Sequence, residues 1–310
     1  MQKKLVQDRI EQLQLVADAI DSTVYALEQE HQLDWSRMLD LIHLTGMEKS
    51  LKDQYRNATN INARIRLHRD FSVNKQGWFP WIYEQCRITE DMRILELGCG
   101  NGALWAENHS SLPDNVNIVV SDISEGMLRD ARRTIGGEDP RFSFRIIDCH
   151  QIPYEASSFD LVIANHVLFY CQDLSQTCCE IARVLKPSGT FVCSTYGTKH
   201  MKEITELVQA FDSHIVLAAE NLYERFGLEN GYELLAPYFS QIECRYYEDE
   251  IRISHAETLI EYILSCHGNQ NHILLDRYRD FRSFVEDKVR KNLRITKDAG
   301  IFLCRKTTDF

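Results

Sequence analysis

The chain has 310 residues, of which 44% are hydrophobic and 26% charged, a balance typical of a globular protein with one large domain and additions. Its 35 lysines and arginines against 46 acidic residues leave a formal net charge of −11, which argues against a nonspecific hold on DNA or RNA. No window approaches about 18 consecutive apolar residues, so no membrane span is expected, and the charged N-terminus lacks the apolar stretch of a secretory signal.

The first thirty residues carry a heptad pattern, in which apolar residues alternate steps of four and three and no Pro or Gly intervenes. This pattern is typical of a coiled coil that pairs two subunits, and also of a single amphipathic helix packed on its own domain. We expect the coiled coil, over residues 3–30, and therefore a homodimer. The apolar residues of the pattern are Val6, Ile10, Leu13, Ala17, Ile20, Val24 and Leu27.

The helical pattern continues through DWSRMLDLIHLTGMEKSLKDQY, so residues 1–67 are expected to form an all-helical N-terminal extension. An aromatic cluster follows, with Trp78, Phe79, Trp81 and Tyr83 close together. Such a cluster is typical of a core or a domain joint. Here it also lies just upstream of a glycine-rich loop, where it could roof a ligand site.

From residue 92 the pattern changes to apolar strands that alternate with helices. Strands are expected at RILELG, VNIVVSD, RFSFRIID, FDLVIANHV and TFVCSTYG, with helices between them. Largely apolar strands in this alternation favour a parallel sheet that is covered by helices on both faces. The expected fold class is therefore α/β, with a Rossmann-like, doubly wound and mostly parallel sheet.

This pattern also sets the expected domain organisation. One domain is expected over residues 68–310, with a core at 92–197, a helical insertion or lid at 198–238, and strands and helices at 239–310. In the last segment, FSQIECRYYEDEIRI is expected as a strand, AETLIEYILSC and LLDRYRDFRSFVEDKVRKNL as helices, and GIFLCRK as a closing strand.

Three glycines, Gly98, Gly100 and Gly102, fall at alternate positions in ILELGCGNGALW. Because glycine inside an element costs about 0.5–1 kcal/mol relative to alanine, three together indicate that a ligand approaches the backbone closely. A loop between the first strand and the first helix lies at the carboxyl edge of the sheet, where open α/β proteins bind ligands. The string GCGNGA matches the dinucleotide pattern GxGxxA, with Asp122 placed for the ribose, so an NAD-dependent oxidoreductase is one interpretation.

The longer string ELGCGNG has the form (E/D)xGxGxG and resembles motif I of the class I S-adenosylmethionine-dependent methyltransferases. IVVSDIS is similar to the second strand of that family, and FRIIDCHQIPYEASSFDLVIANHVLFY to its third and fourth strands. ARVLKPSGTFVCST is similar to the turn into its fifth strand. The resemblance covers about residues 92–197 in linked order, and four motifs in register favour this family over the dinucleotide alternative.

The resemblance implies S-adenosyl-L-methionine as the cofactor, with Asp122 at the two ribose hydroxyls. It also implies that Asp148 accepts a hydrogen bond from the adenine amino group and that Cys149 adds a backbone contact. No metal is expected. The cofactor-binding residues expected on this basis are Glu96, Gly98, Cys99, Gly100, Gly102, Asp122, Ile123, Asp148, Cys149 and Asn165.

A second resemblance is narrower. Residues 62–85 and 164–201 look like a bacterial subgroup of small-molecule methyltransferases (type 11 or 12), in some of which the catalytic domain is joined to a MerR-type regulator. Residues 1–45 are similar to the dimerisation helix of those regulators, without their winged-helix DNA-binding part. The resemblance implies a small-molecule acceptor, and it keeps a non-catalytic, dimeric S-adenosylmethionine-sensing protein as a further alternative.

Catalysis is expected to depend on residues that follow the fourth strand. Methyl transfer needs an acceptor N, O or C aligned with the sulfonium methyl group, and a general base where the nucleophile carries a proton. His166 is the candidate base or orienting residue, and Tyr170 is expected to shape the pocket, although a histidine at this place can also be purely structural. Weaker candidates are Tyr196, His200 and His150.

The ten cysteines form no C-x-x-C pair, and several lie inside apolar runs such as GTFVCSTY and GIFLCRK. They are expected to be reduced, buried thiols of a cytoplasmic protein rather than metal ligands or disulfides. The expected partners are a small-molecule acceptor and a second copy of the chain, and neither nucleic acid nor a membrane.

Overall fold

The computed structural model describes residues 59–218, 220–266, 268–291 and 293–306. The predicted coiled coil over 3–30, the homodimer expected to form through it, and the segment 1–45 that resembles MerR-type regulators lie outside the described residues.

Two sheets are formed by the strands of the described chain, which are β1 (Arg93–Leu97), β2 (Asn117–Asp122), β3 (Phe142–Ile146), β4 (Phe159–Asn165), β5 (Leu185–Tyr196), β6 (Phe239–Tyr246), β7 (Asp249–Ile253), β8 (Leu293–Lys297) and β9 (Ala299–Lys306). The main sheet has seven strands in the order β3-β2-β1-β4-β5-β9-β6. Its first five strands run parallel, and β9 runs antiparallel to both β5 and β6. The predicted α/β class with a mostly parallel sheet is confirmed.

The helices of the described chain are α1 (Thr59–Phe71), α2 (Trp78–Cys86), α3 (Ala103–Asn108), α4 (Glu125–Ile135), α5 (Leu174–Val184), α6 (Lys202–Phe211), α7 (Leu222–Arg225), α8 (Gly231–Leu235), α9 (Ala256–Leu264), α10 (Gln270–Leu274) and α11 (Tyr278–Arg290). Helices α2, α3 and α4 pack on one face of the sheet. Helix α5 and the segment of α7 and α8 pack on the other face. Both faces are thus covered, which explains why the parallel strands are apolar on both sides.

A second hydrophobic core lies outside the main sheet, between α1, α6, α9, α10, α11 and the two-stranded sheet of β7 and β8. We call this assembly the helical cap. Its members come from distant parts of the chain, and an isolated bridge between Ser72 and Ile251 joins the end of α1 to β7. The helical cap therefore brings the segment before β1 next to the segment after β6.

The helical cap differs from the predicted lid over 198–238. Of that segment, α6 packs in the cap, whereas Phe226 is buried in the core of the main sheet, 5.9 Å from Phe302 between ring centroids. The predicted single strand FSQIECRYYEDEIRI is two strands, β6 and β7, because the chain leaves the main sheet at the buried Tyr247. Strand β8, the sequence LRITK, was not predicted; it is short and finds its only described strand partner in β7.

All ten cysteines are free, and seven of them are buried, as predicted. Among the described helices, none combines the length and the apolar character needed to cross a lipid bilayer.

Candidate functional site

The glycine loop, residues 98–102, joins β1 to α3 at the carboxyl ends of the parallel strands. Gly98 and Gly102 have φ angles of 68° and 76°, in the left-handed region that favours glycine. A Cβ atom on Gly98 would lie 2.4 Å from Cγ2 of Val167, in the segment after β4. The loop is therefore packed directly against the segment that carries the predicted catalytic residues.

Asp122 ends β2 and is only 8% exposed. Its Oδ2 accepts a hydrogen bond from the backbone N–H of Gly100 at 3.0 Å, and its Oδ1 accepts one from Ser124 at 2.9 Å. Burial raises the pKa of this carboxyl group, and the backbone donors oppose the shift. Since a carboxylate offers about four acceptor positions, Asp122 ties the glycine loop to β2 and keeps capacity for further donors, such as hydroxyl groups.

Glu96 lies within β1 and is buried, with its Oε2 accepting a hydrogen bond from Nε1 of Trp105 at 2.6 Å. Burial raises the pKa of Glu96 to about 8, so the carboxyl group is mostly protonated at neutral pH. The sequence predicts Glu96 as a cofactor residue; the structure gives its side chain a partner inside the core.

Ile123, Asp148 and Cys149 lie at the same edge of the sheet. Ile123 is an apolar side chain that is 70% exposed directly after Asp122. Asp148 pairs with Nδ1 of His150 at 2.6 Å and accepts from the backbone N–H of His150 at 2.9 Å, which lowers its pKa. The Sγ atoms of Cys149 and Cys171 are 3.3 Å apart, and the thiol of Cys171 lowers the pKa of Cys149 by donating a hydrogen bond to it.

The side chains of Asp148, Cys149 and His150 also bring one ligand atom each within 4.8 Å of one another, which is compact enough for a metal ion. Asp148 and His150 are already hydrogen-bonded to each other, and Asp148 is also the residue predicted to contact adenine. This grouping does not add a metal to the expectation from the sequence.

Asn165, the last residue of β4, is held by two donors. Its Oδ1 accepts from Nε1 of Trp78 at 3.2 Å and from the hydroxyl of Ser194 at 2.6 Å. The Ser194 hydroxyl in turn accepts from the backbone N–H of His166 at 2.9 Å. These bonds fix the ends of β4 and β5 against α2. They also give Trp78, a member of the aromatic cluster noted in the sequence, a structural role.

His166 follows with a φ of 56°, an uncommon conformation for a residue other than glycine. Its ring is stacked on Trp78 with 5.2 Å between centroids, and its Nδ1 is buried without a hydrogen-bond partner in the described chain. Burial lowers the pKa of His166 to about 4, and the positive charges of Lys297 and Arg64 add to the effect. The imidazole is therefore neutral at neutral pH and has one ring nitrogen without a partner.

His166 belongs to a group of rings that we call the histidine cluster, composed of His68, His166, Tyr196 and His200. Tyr196 lies 6.2 Å from His166 and 5.1 Å from His200, and His68 lies 6.3 Å from His200, all between centroids. Burial lowers the pKa of His200 to about 3 and that of His68 well below its usual range. The cluster thus connects the end of β4 to α1 through neutral imidazoles.

Lys297, the last residue of β8, supplies a positive charge beside this cluster. Its Nζ pairs with Oδ2 of Asp249 at 3.0 Å, with the two side chains 5% and 0% exposed. The same Nζ lies 4.7 Å from the ring centroid of Tyr247 and 5.7 Å from that of Trp78. The pair links β7 and β8 of the helical cap to the rings that support His166.

The structure brings most of the predicted catalytic candidates together. His166, Tyr196 and His200 share the histidine cluster, and Tyr170, 45% exposed, lies in the turn directly after His166. His150 lies apart from them, bonded to Asp148. Sequence reasoning missed His68 and Arg64 on α1; the only available signal was their spacing of four residues in NARIRLHRDF, which places them on one helical face.

The sheet also distinguishes between the two nucleoside interpretations. A dinucleotide-binding sheet has the order 3-2-1-4-5-6. Here the antiparallel strand β9 is inserted between β5 and β6. The strand order therefore differs from that of a dinucleotide-binding sheet between β5 and β6.

Comparison with known proteins also favours a methyltransferase over an NAD-binding protein. Residues 95–193 match the family model described as a methyltransferase domain. The chain is 25% identical over 193 residues to the ubiquinone/menaquinone biosynthesis C-methyltransferase UbiE of Geobacter sulfurreducens, covering 62% of this chain and 75% of that protein. It is 33% identical over 135 residues to a malonyl-[acyl-carrier protein] O-methyltransferase of Methylovorus sp., covering 40% of this chain and 44% of that protein.

Among solved structures, the chain is similar in fold to phosphoethanolamine N-methyltransferase 2 of Haemonchus contortus in complex with S-adenosyl-L-methionine. The TM-score is 0.51 at 19% identity, and the match covers 84% of this chain and 59% of that chain. Residues 95–193 of the chain are thus a methyltransferase domain, and the sheet with its antiparallel β9 has the class I methyltransferase fold.

Proposed function

We propose that the protein transfers the methyl group of S-adenosylmethionine to an N, O or C atom of a small-molecule acceptor. The observation that carries this proposal is the direct packing of Gly98 on Val167, which supports a cofactor in the glycine loop next to an acceptor at the neighbouring His166. In this proposal the cofactor lies along the carboxyl ends of β1, β2 and β3, and the acceptor lies between the end of β4 and the helical cap.

The residues at the carboxyl ends fit this cofactor chemically. Asp122 has acceptor capacity left for the two hydroxyls of a ribose. Ile123 offers an exposed apolar surface next to it, suited to the face of an adenine ring. Asp148 is exposed and accepts hydrogen bonds, as an adenine amino group requires.

When bound, S-adenosylmethionine supplies a methyl group on a positively charged sulfur. The contribution of the chain is chiefly to hold the acceptor in line with that group, which reduces the entropic part of the barrier. His166 is suited to accept a hydrogen bond from the acceptor nucleophile, since its ring is neutral and fixed by Trp78. With a pKa of about 4 it is a weak base, so we assign it an orienting role rather than full removal of a proton.

The names of the relatives differ in the acceptor atom and so leave it open for this chain. Their names describe a C-methyltransferase, an O-methyltransferase and an N-methyltransferase. The net charge of −11 also disfavours a nucleic acid. The proposal therefore stops at a small metabolite or natural product that carries an N, O or C nucleophile.

The first test is calorimetric titration of the full chain with S-adenosylmethionine, S-adenosylhomocysteine and NAD. We expect both sulfur nucleosides to bind and NAD not to bind. Asp122→Asn, which keeps one acceptor oxygen for the loop, should weaken binding at least tenfold, and Asp114→Ala, in the exposed loop before β2, should not. Binding of NAD alone, or of none of the three, would contradict the proposal.

Turnover is tested separately from binding. A panel of small acceptors is incubated with the protein and S-adenosylmethionine, and release of S-adenosylhomocysteine is measured. Tight cofactor binding without release for any acceptor would favour the sensing-protein alternative.

We also propose that the protein forms a homodimer through residues 3–30, on the heptad pattern alone. Particle mass in solution, with and without those residues, tests this. A monomeric full-length chain would contradict it.

A further inference from the structure

Arg64 on α1 is a cation that the described chain does not neutralise. Its Nη2 donates to the backbone carbonyl of Ser265 at 2.9 Å, and the Tyr170 hydroxyl is in hydrogen-bond contact with the guanidinium. Its Nε is buried and has no hydrogen-bond partner among the described residues. No described carboxylate forms an ion pair with Arg64, whereas Arg66 pairs with Glu261 at 2.8 Å.

This environment is unfavourable for the guanidinium as it stands. Arginine keeps its charge in proteins, so it cannot escape the cost of burial by losing a proton, as a lysine or a histidine can. Arg64 is half-buried with its Nε fully buried, and a charge that is partly removed from water without a counterion pays a desolvation cost that no described carboxylate offsets. Arg64 is therefore a candidate site for an anion that comes from outside the described chain.

The groups around Arg64 favour an anion over a cation. The charge of Arg64 contributes to the low pKa values of His68 and His166, which remain neutral, and each has an Nδ1 without a partner. Burial raises the pKa of Tyr196, so its phenol keeps a proton to donate, whereas the hydroxyl proton of Tyr262 is directed to Sδ of Met201 at 3.2 Å. The region thus offers charge and donors, and the nearby carboxylate of Glu261 is paired with Arg66.

Lys297 does not compete for this anion, because Asp249 already neutralises it. Asp249 in turn accepts from the Ser72 hydroxyl at 2.6 Å and from the backbone N–H of Asn74 at 2.9 Å. Lys297 and Arg64 therefore differ: Lys297 is part of a saturated ion pair, and Arg64 has only carbonyl and hydroxyl partners within the described part of the chain.

We infer that Arg64 binds an oxyanion, a carboxylate or phosphate group, that is carried by the methyl acceptor. The inference rests on the proposed function and adds the chemical class of the acceptor. The position fits, since Tyr170, which contacts Arg64, belongs to the turn that follows His166. An acceptor with its nucleophile at His166 then extends its anionic group toward α1.

The test uses the full chain saturated with S-adenosylhomocysteine and two matched pairs of probes, benzoate with benzamide and acetate with acetamide, together with inorganic phosphate. Ionic strength is held constant with sodium chloride. Calorimetry gives affinities, and the midpoint of thermal unfolding checks the fold. The variants are Arg64→Met, Arg64→Lys, which keeps the charge without the planar fork, and the control Arg66→Met on the same helix.

We expect the wild-type protein to bind an anionic probe at least tenfold more tightly than the matched amide. Arg64→Met should lose this preference, Arg64→Lys should keep part of it, and Arg66→Met should keep all of it. The relative affinities of benzoate and phosphate then show which kind of oxyanion the site takes.

Two results would overturn the inference. In the first, the wild type does not prefer any anion to its amide. In the second, Arg64→Met keeps the preference. If Arg64→Met keeps the preference and also weakens S-adenosylhomocysteine binding tenfold, the guanidinium serves the carboxylate of the cofactor instead. Failure of the wild type to bind S-adenosylhomocysteine would instead count against the proposed function, and the same anion titrations without it still test Arg64.

Discussion

The glycine-loop side of the sheet and the helical cap are both organised by buried polar groups, but they are assembled differently along the chain. Gly98, Asp122 and Asp148 lie at the ends of three consecutive strands or shortly after them, and their contacts are with neighbouring loops. In the helical cap, Arg64 bonds Ser265 across 201 residues, and Ser72 bonds Asp249 across 177. The first arrangement repeats a strand–loop–helix unit, whereas the second depends on tertiary contacts alone.

The two sides also differ in charge. Glu96 and Asp122 on the glycine-loop side are buried acids whose pKa values are raised by burial. The helical cap side holds buried bases, with the pKa values of His68, His166 and His200 all lowered. Both sets of shifts favour the uncharged side chain, so the positive charge of the helical cap side comes from Arg64 and Lys297 rather than from its histidines. The following predictions challenge this division, beginning with the largest expected effect.

Lys297→Met breaks the buried pair with Asp249 in the helical cap. Removing one partner of a buried ion pair costs about 3–5 kcal/mol, because it leaves the other charge unpaired. The exposed pair of Lys291 and Asp287 provides the matched control, and Lys291→Met should cost under about 0.5 kcal/mol. Urea unfolding measures both variants, and equal losses would show that the buried pair does not stabilise the cap.

The same variant has a second consequence, because Lys297 contributes to the low pKa values of His68, His166 and His200. These values should rise in Lys297→Met, as followed by NMR titration of the ring protons. Unchanged titration would mean that burial alone sets them.

Gly98→Ala challenges the packing of the glycine loop on the segment after β4. The left-handed φ costs about 1–2 kcal/mol for a residue with a Cβ, and the contact with Val167 adds overpacking of about 1–3 kcal/mol. We expect a total loss of about 2–4 kcal/mol in urea unfolding and weaker S-adenosylhomocysteine binding.

A double variant separates the backbone and packing contributions. Gly98→Ala combined with Val167→Ala keeps the backbone cost and removes the two methyl groups that the new Cβ would meet, so it should recover cofactor binding in part. If the double variant binds S-adenosylhomocysteine no better than Gly98→Ala, the close contact with Val167 is not a constraint.

Glu96→Gln tests the buried acid of the glycine-loop side. Its folded pKa of about 8 lies above the unfolded value near 4.3, so between these values the unfolded state loses its proton first and stability falls as pH rises. The stability of the wild type relative to Glu96→Gln should therefore drop by about 3 kcal/mol from pH 5 to pH 7, at about 1.4 kcal/mol per pH unit.

The wild type has to be compared with Glu96→Gln, because the buried histidines change the free energy of unfolding with pH in the opposite direction. Their lowered pKa values contribute stability that is lost as pH falls from about 6.5 toward about 4. Subtracting the two curves, measured without cofactor, cancels the histidines. A flat difference would show that Glu96 is ionised in the folded protein.

Much of the glycine-loop side could be predicted from the sequence because each of its residues has a local signature. Asp122 lies at the end of an apolar strand, β2. Gly98 directly follows the neighbouring strand, β1, and has a positive φ. Nothing local marks Arg64, His68 or Lys297, whose environments are created by segments far away in the chain. Strand β8 was missed for the same reason, since LRITK is a strand only because β7 lies beside it.

The last prediction concerns His166, where the two sides of the molecule meet. His166→Asn suits the positive φ and removes the imidazole, and His166→Phe keeps a ring to stack on Trp78. If His166 orients the acceptor, both should lower kcat about tenfold, or about 1.4 kcal/mol, with S-adenosylhomocysteine affinity unchanged. A general base would instead give a loss of about 10²–10⁴-fold and remove one limb of the pH–rate profile.

The buried, stacked and neutral ring of His166 favours the smaller effect, because a base with a pKa of about 4 gives little driving force for proton removal at neutral pH. Kinetics with an acceptor found by S-adenosylhomocysteine release distinguish the two roles, and kcat values unchanged in both variants would make His166 a purely structural residue.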